Sequence, residues 1–320
     1  MNVSASPIRL ILPLCAALIV GGCAPTTPEE ASTESAALPQ WTFSPDMIFP
    51  ADRSLNRPED GVVLPDGRLV VGDQLAGLRL VEADGSSRPF GKMPEAGYLH
   101  NPPEVEAGAN GVTMDPTGSF ILVADMWQGG IYRVDVATEA TEKIYQHEFG
   151  INMARADSRG GIWFSQSTRN RPEENSAGLW KSVDIPVADG ALCYIAPEQV
   201  GKGGKAVVLA DGFLFTNGLV LDEDAGMLYL AETMASRVWK FAADVASGTV
   251  GERELAFEIS FPDNLELDAA GRIWVACPLR SELVVVDPKT GSRQPVFNLP
   301  VPGSESVIEE ILSRLAAGKP

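Results

Sequence analysis

The sequence predicts an all-β fold of radially repeated sheets, a β-propeller, on three observations. One pattern recurs five times along the 320 residues. The recurrence interval suits a four-stranded blade, which commonly takes about 40–50 residues. Helical periodicity is absent until residue 304.

The five copies read EDGVVLPDGRLVVGD (59–73), NGVTMDPTGSFILVAD (110–125), NMARADSRGGIWFSQ (152–166), NGLVLDEDAGMLYLAE (217–232) and DNLELDAAGRIWVAC (263–277). Each runs from a polar residue through a short apolar strand and an Asp/Gly turn into a second apolar strand. Asp opens such turns through its side chain, and Gly accepts the positive φ they often need. A third strand follows in most copies, as in GIYRVDV, RVWKFAA and ELVVVDP. The longest interval, between the third and fourth copies, contains RNRPEENSAG and EQVGKGGKA, which read as insertions.

The elements outside the repeat are read in chain order. Residues 1–22 carry Arg9 and an apolar run from Ile11 to Val20, too short to span a bilayer, which needs about 20 apolar residues. They read as a signal peptide. Gly21 and Gly22 before Cys23 resemble a bacterial lipobox, so Cys23 is expected to be lipidated. The expected location is the cell envelope, anchored by lipid and facing the periplasm or exterior, with secretion as the alternative. Residues 23–40 combine that Cys with a Pro/Thr/Ser/Glu/Ala-rich flexible tether. Residues 41–320 form the propeller domain, and QWTFSPDMIFP (40–50) reads as an outer strand of a sixth blade. SESVIEEILSRLAA, near 304–317, has a Ser cap, early acids and a late Arg, which predicts a helix. The inner strands of a sixth blade are missing, so a truncated sequence is expected.

Composition narrows the function. Lys+Arg is 25 against 43 Asp+Glu, a formal net charge of -18, which disfavours a nucleic-acid partner. The only histidines, His100 and His147, argue against a multi-histidine metal site. There is no G-x-S-x-G, C-x-x-C or H-E-x-x-H motif. Cys193 and Cys277 are read as separate buried thiols, although the compartment permits a bridge.

The polar residues that open the repeats carry the chemistry. In a propeller the innermost strands start near the central channel, so Glu59, Asn110, Asn152, Asn217, Asp263 and Asn264 converge on its axis. All are oxygen donors. Oxygen ligands in flexible number suit calcium, and other divalent ions are also acceptable. Two carboxylates, Glu59 and Asp263, balance the ion's charge. Asn and Asp before strands also serve as plain turn formers. Their recurrence in one register across five copies strengthens the metal reading and leaves both readings open.

PEDGVVLPDGRLVVGD, TNGLVLDEDAGMLYLAET and FPDNLELDAAGRIWVACP resemble the superfamily of gluconolactonase, regucalcin (senescence marker protein), paraoxonase and strictosidine synthase. The resemblance covers roughly residues 58–297 and implies a six-bladed propeller, with five complete blades visible here and the sixth incomplete. It implies one channel calcium held by Glu59, Asn152, Asn217, Asp263 and Asn264, with Asn110 beside it touching substrate. Paraoxonase-like enzymes place histidines near the metal, whereas the matching positions here are Asn110 and Met126. Their second ion uses an aspartate where this chain has Met153, so a second ion is not expected.

The resemblance implies calcium-dependent hydrolysis of a small-molecule lactone or activated ester, with Asp263 as general base and Asn110 orienting substrate. The alternatives are a lipid-anchored, calcium-stabilised binding propeller without turnover, and a strictosidine-synthase-like enzyme. Two loops, 91–109 and 166–178, read as lids or specificity walls, or as plain surface loops. His100, on the first, is read as structural rather than as a base.

Overall fold

The computed structural model describes residues 38–170, 177–299 and 301–317. The leader, Cys23 and most of the tether lie outside the described residues. After β1 (Trp41–Thr42) the chain folds into five antiparallel sheets in sequence order. The first holds β2 (Gly61–Val63), β3 (Leu69–Asp73), β4 (Gly77–Val81) and β5 (Ser87–Pro89). The second holds β6 (Ala109–Met114), β7 (Phe120–Asp125), β8 (Gly130–Asp135) and β9 (Thr141–Gln146). The third holds β10 (Met153–Ala156), β11 (Ile162–Gln166), β12 (Gly190–Ile195) and β13 (Val207–Phe213). The fourth holds β14 (Thr216–Asp222), β15 (Met227–Glu232), β16 (Arg237–Asp244), β17 (Thr249–Val250) and β18 (Glu254–Glu258). The fifth holds β19 (Leu265–Leu267), β20 (Ile273–Cys277), β21 (Glu282–Val286) and β22 (Arg293–Asn298). All five repeat copies therefore form the first two strands of a blade.

Strand alternation explains how the blades stack. Successive side chains on a strand face opposite ways. On β7, Ile121 and Val123 enter the core shared with the first blade, while Leu122 and Ala124 enter the core shared with the third. On β15, Leu228 and Leu230 pack toward the third blade, and Tyr229 and Ala231 toward the fifth. Both faces are buried, which is why FILVA and LYLA read as unbroken apolar runs. Four such cores join the five blades. Among the described residues no apolar core joins the fifth blade to the first, and Val63 on β2 is 65% exposed.

The turns follow the predicted chemistry. Asp157 Oδ1 accepts from the N–H groups of Arg159 (2.9 Å) and Gly161 (2.8 Å), and its Oδ2 accepts from Trp163 Nε1 at 2.9 Å. Asp268 repeats this with Ala270, Arg272 and Trp274. Gly160 and Gly271 turn these corners at φ +84° and +75°, where a Cβ would be strained. Asp157 is 2% exposed. Asp157→Ala should therefore cost roughly 2–3 kcal/mol, by leaving the Trp163 indole N–H unpaired. An unchanged urea midpoint would refute this.

Three details depart from the sequence reading. The 40–50 segment starts no sixth sheet: β1 pairs in parallel with the outer edge of β22, Trp41 opposite Phe297. That edge offers unpaired backbone groups, and Trp41 also packs on Trp274, with ring centroids 6.2 Å apart. Of the 166–178 loop, residues 171–176 lie outside the described residues, and its end belongs to a helix, α1 (Ala177–Asp184), on which Trp180 is 45% exposed. The 91–109 loop is pinned by buried Met93 and Tyr98, the Tyr98 hydroxyl donating to Gln74 O and accepting from Ala109 N.

The C-terminal helix, α2 (Ser304–Ala316), lies where the sequence places it. Cys193 and Cys277 are buried and unbridged, as read. No described helix is long and apolar enough to cross a membrane.

Candidate metal centre

Two Asn-Gly pairs set the geometry of the channel. Gly111 N–H donates to Asn152 O (2.9 Å) and Gly218 N–H to Asp263 O (3.2 Å), tying each innermost strand to the start of the next. A Cβ on Gly218 would stand 2.6–2.7 Å from Leu265 N, Asn264 Cα and Asp263 O. On Gly111 it would stand 2.8 Å from Asn152 O and Met153 Cα. The glycines thus permit the approach that brings the preceding asparagines toward the next blade's polar residues. Across the gap between the fifth and first blades, Asn264 Nδ2 donates to Glu59 Oε1 at 3.1 Å.

The amide nitrogens of Asn217 and Asn264 are engaged, whereas their oxygens are not. Asn217 Nδ2 donates to Thr233 Oγ1 at 3.2 Å, and the Thr233 hydroxyl donates to Pro262 O at 2.7 Å. Asn152 Oδ1, Asn217 Oδ1, Asn264 Oδ1 and Glu59 Oε2 are buried without a hydrogen-bond partner. Buried acceptors are rarely left unpaired, because the desolvation is then uncompensated. Four of the five residues expected to bind calcium thus present an unused oxygen. The fifth, Asp263, interacts with the Asn217 side chain. Among the described residues no cluster of three or more His, Cys, Asp or Glu forms a metal site. The set here has two carboxylates and three amides, a donor mixture suited to calcium.

Electrostatics show two carboxylates crowded in a poorly solvated place. Burial, then Asp60 and Asp263, push the Glu59 carboxyl up to about 8. Burial also raises Asp263. Burial raises Asp60 to about 6, although its oxygens accept from Gly61 N and Val112 N at 2.8 and 2.9 Å. Asp60 thus stitches the first blade to the second.

Asn110 has a different setting. Its Oδ1 accepts from Arg57 Nη2 at 3.2 Å, so it is not one of the unpaired oxygens. Arg57 also contacts Met126 Sδ at 3.1 Å and lies over Trp127, 4.6 Å from the ring centroid. Sequence reading did not single out Arg57: a lone arginine before Pro58 carries no signal, and only the fold brings it to the site. His100 bonds through Nδ1 to the backbone of Ala107, a structural role. Met153 is buried in the core between the third and fourth blades.

Two helices flank this end of the molecule. Leu179 of α1 packs on Met126 and Trp127. Val183 of α1 and Ile311 and Leu312 of α2 pack with Phe215, Met234 and Phe261, which lie before β14, after β15 and before β19.

The profile described as SMP-30/gluconolactonase/LRE-like region matches residues 139–308, more than half of the chain. The chain belongs to the SMP-30/gluconolactonase/LRE-like family. Human regucalcin is 30% identical over 199 residues, covering 59% of this chain and 64% of regucalcin. A putative sugar lactone lactonase of Bacillus subtilis is 25% identical over 168 residues, covering 50% of this chain and 51% of that protein. The chain thus spans less than two thirds of these relatives. Among solved structures, a Xanthomonas campestris gluconolactonase superposes with TM-score 0.56 at 20% identity, covering 78% of this chain and 77% of the other. A calcium-binding regucalcin from Agrobacterium tumefaciens gives 0.57 at 18%, covering 82% and 81%. At these identities the likeness is one of fold.

Proposed function

We propose that the protein is a calcium-dependent hydrolase of a small-molecule lactone or activated ester, acting at the cell envelope, to which Cys23 would anchor it. The observation that carries this reading is the set of unpaired buried oxygens on Glu59, Asn152, Asn217 and Asn264 beside Asp263. These five residues would hold the ion. Bound calcium would supply a Lewis acid that polarises the substrate carbonyl and offsets negative charge on its oxygen. Asp263 would accept a proton from the water that adds to the carbonyl carbon. The acyl–oxygen bond then breaks, and the proton passes to the departing oxygen, leaving a hydroxy acid or an acid and alcohol. Burial raises Asp263 in the metal-free fold, and an ion on the same carboxylate would lower it again, so its place beside the ion and Asn217 is what favours it as the base. Asn110, part of the wall with Arg57, would orient substrate.

Titration calorimetry with calcium, followed by a lactone screen with and without chelator, tests the reading. Near one-to-one binding and chelator-sensitive turnover are expected. Asn217→Ala should weaken calcium binding about tenfold or more, comparable with losses around other metal sites. Unchanged affinity in that variant refutes the ligand assignment. Binding without turnover favours a calcium-stabilised binding propeller, and no calcium binding favours strictosidine-synthase-like chemistry.

A further inference from the structure

Arg57 is a half-buried cation whose hydrogen-bonding capacity is barely used. Its Nη2 meets Asn110 Oδ1, a neutral amide oxygen, and Met126 Sδ, a weak acceptor. Its Nη1 is buried with no partner. The guanidinium rests on the Trp127 ring, and Leu179 of α1 closes in behind that ring. Among the described residues no carboxylate forms an ion pair with it. Glu59, Asp263 and Asp125 are near enough only to act through space. The backbone at Arg57 has φ +47°, in the left-handed region that a non-glycine residue enters at a cost. The side chain is thus held in the channel wall by a strained loop and a tryptophan platform.

A guanidinium presents two parallel N–H donors that match a carboxylate. Calcium on Glu59 and Asp263 would engage those two charges and leave Arg57 with Asp125 alone acting on it through space and no carboxylate hydrogen-bonded to it. In a chain of net charge -18, such a spot is a local exception to a field that repels anions.

We propose that Arg57 makes the channel selective for substrates that carry a carboxylate on the lactone ring or close to the ester group, with Asn110 holding the guanidinium in place. This rests on the channel being the substrate site, and it names the substrate class.

The test uses non-hydrolysable analogues, so that it reads binding whether or not turnover occurs. Calorimetry on the calcium-loaded protein compares a cyclopentanone carboxylate with the matching cyclopentanone carboxamide. The carboxylate should bind about tenfold or more tighter, the range of a charge-assisted hydrogen-bonded pair. Arg57→Gln should abolish that preference, and Arg57→Lys should keep part of it, having the charge without the fork. Equal binding of the two ketones to the unaltered protein, binding of neither, or a preference that survives in Arg57→Gln would each overturn the proposal. The first two comparisons need no variant to fold.

A parallel assay on γ-butyrolactone bearing a γ-carboxylate and on its carboxamide separates this proposal from the hydrolase reading. Ketone preference with no turnover of either lactone removes the hydrolase and leaves Arg57 as an anion-binding group. Turnover of both lactones at equal kcat/KM removes the role of Arg57 alone.

Discussion

Gly218→Ala should damage stability and the candidate metal centre together. The added methyl would stand 2.6–2.7 Å from three backbone atoms of residues 263–265, distances that real Cβ atoms do not hold. None of those atoms belongs to a flexible side chain, so β14 and the start of β19 must move apart. Forced overpacking of this kind costs about 1–3 kcal/mol. The segment that moves, 263–267, carries Asp263 and Asn264, while Asn217 stays on the other side of the widened gap. Calcium affinity should therefore fall by at least as much as in Asn217→Ala, with a lowered urea midpoint in addition. Gly251→Ala is the control, because its Cβ would meet Ala242 Cβ at an ordinary 3.5 Å. A Gly218→Ala protein with the original midpoint and calcium affinity would show that the Asn-Gly pairs are turns and nothing more.

This dependence also shows why so much of the site was legible. An Asn-Gly or Asp-Asn pair followed by strand, Asp/Gly turn and strand records two constraints at once. The glycine marks a close backbone approach, and the asparagine marks the polar end of the innermost strand. Both leave a mark in the sequence, because a Cβ does not fit at the glycine and a short polar side chain is needed before it. The blades were legible for a related reason: each Asp turn satisfies its own backbone donors, as at Asp157, so the signal is local. What was not legible depends on distant partners. Arg57 matters only because the fold sets Asn110, Met126 and Trp127 around it. Asp60 reads like a second acid beside Glu59, yet its oxygens serve Gly61 and Val112. Helix α1 has only eight residues, and its anchors Leu179 and Val183 find their partners on other blades. The two residues of β1 are strand only because the edge of β22 accepts them.

Without calcium, the protein should lose stability as pH rises from about the normal glutamate range toward 8. Glu59 is pushed up to about 8 in the fold from an ordinary value of 4.5. The folded state therefore holds its proton through a range in which the unfolded chain has released it. Fewer protons are bound in the unfolded state, so the unfolding free energy falls with rising pH. A single group contributes at most about 1.4 kcal/mol per pH unit. Below the unfolded value both states are protonated, and above 8 both are ionised, so the slope from this group vanishes at either end. Glu59→Gln keeps the shape and removes the charge, so it should flatten this part of the profile while weakening calcium binding. Calcium reverses the sign of the problem, because an ion among these oxygens favours the ionised carboxylates. Its affinity should rise with pH up to about 8, by as much as tenfold per unit where one proton is displaced. Urea midpoints and calorimetric affinities between pH 5 and pH 9 read both trends. The assignment of Glu59 as the crowded carboxyl at the channel mouth fails if the chelated protein's profile keeps its slope in Glu59→Gln. It fails equally if calcium binds with the same affinity across that range.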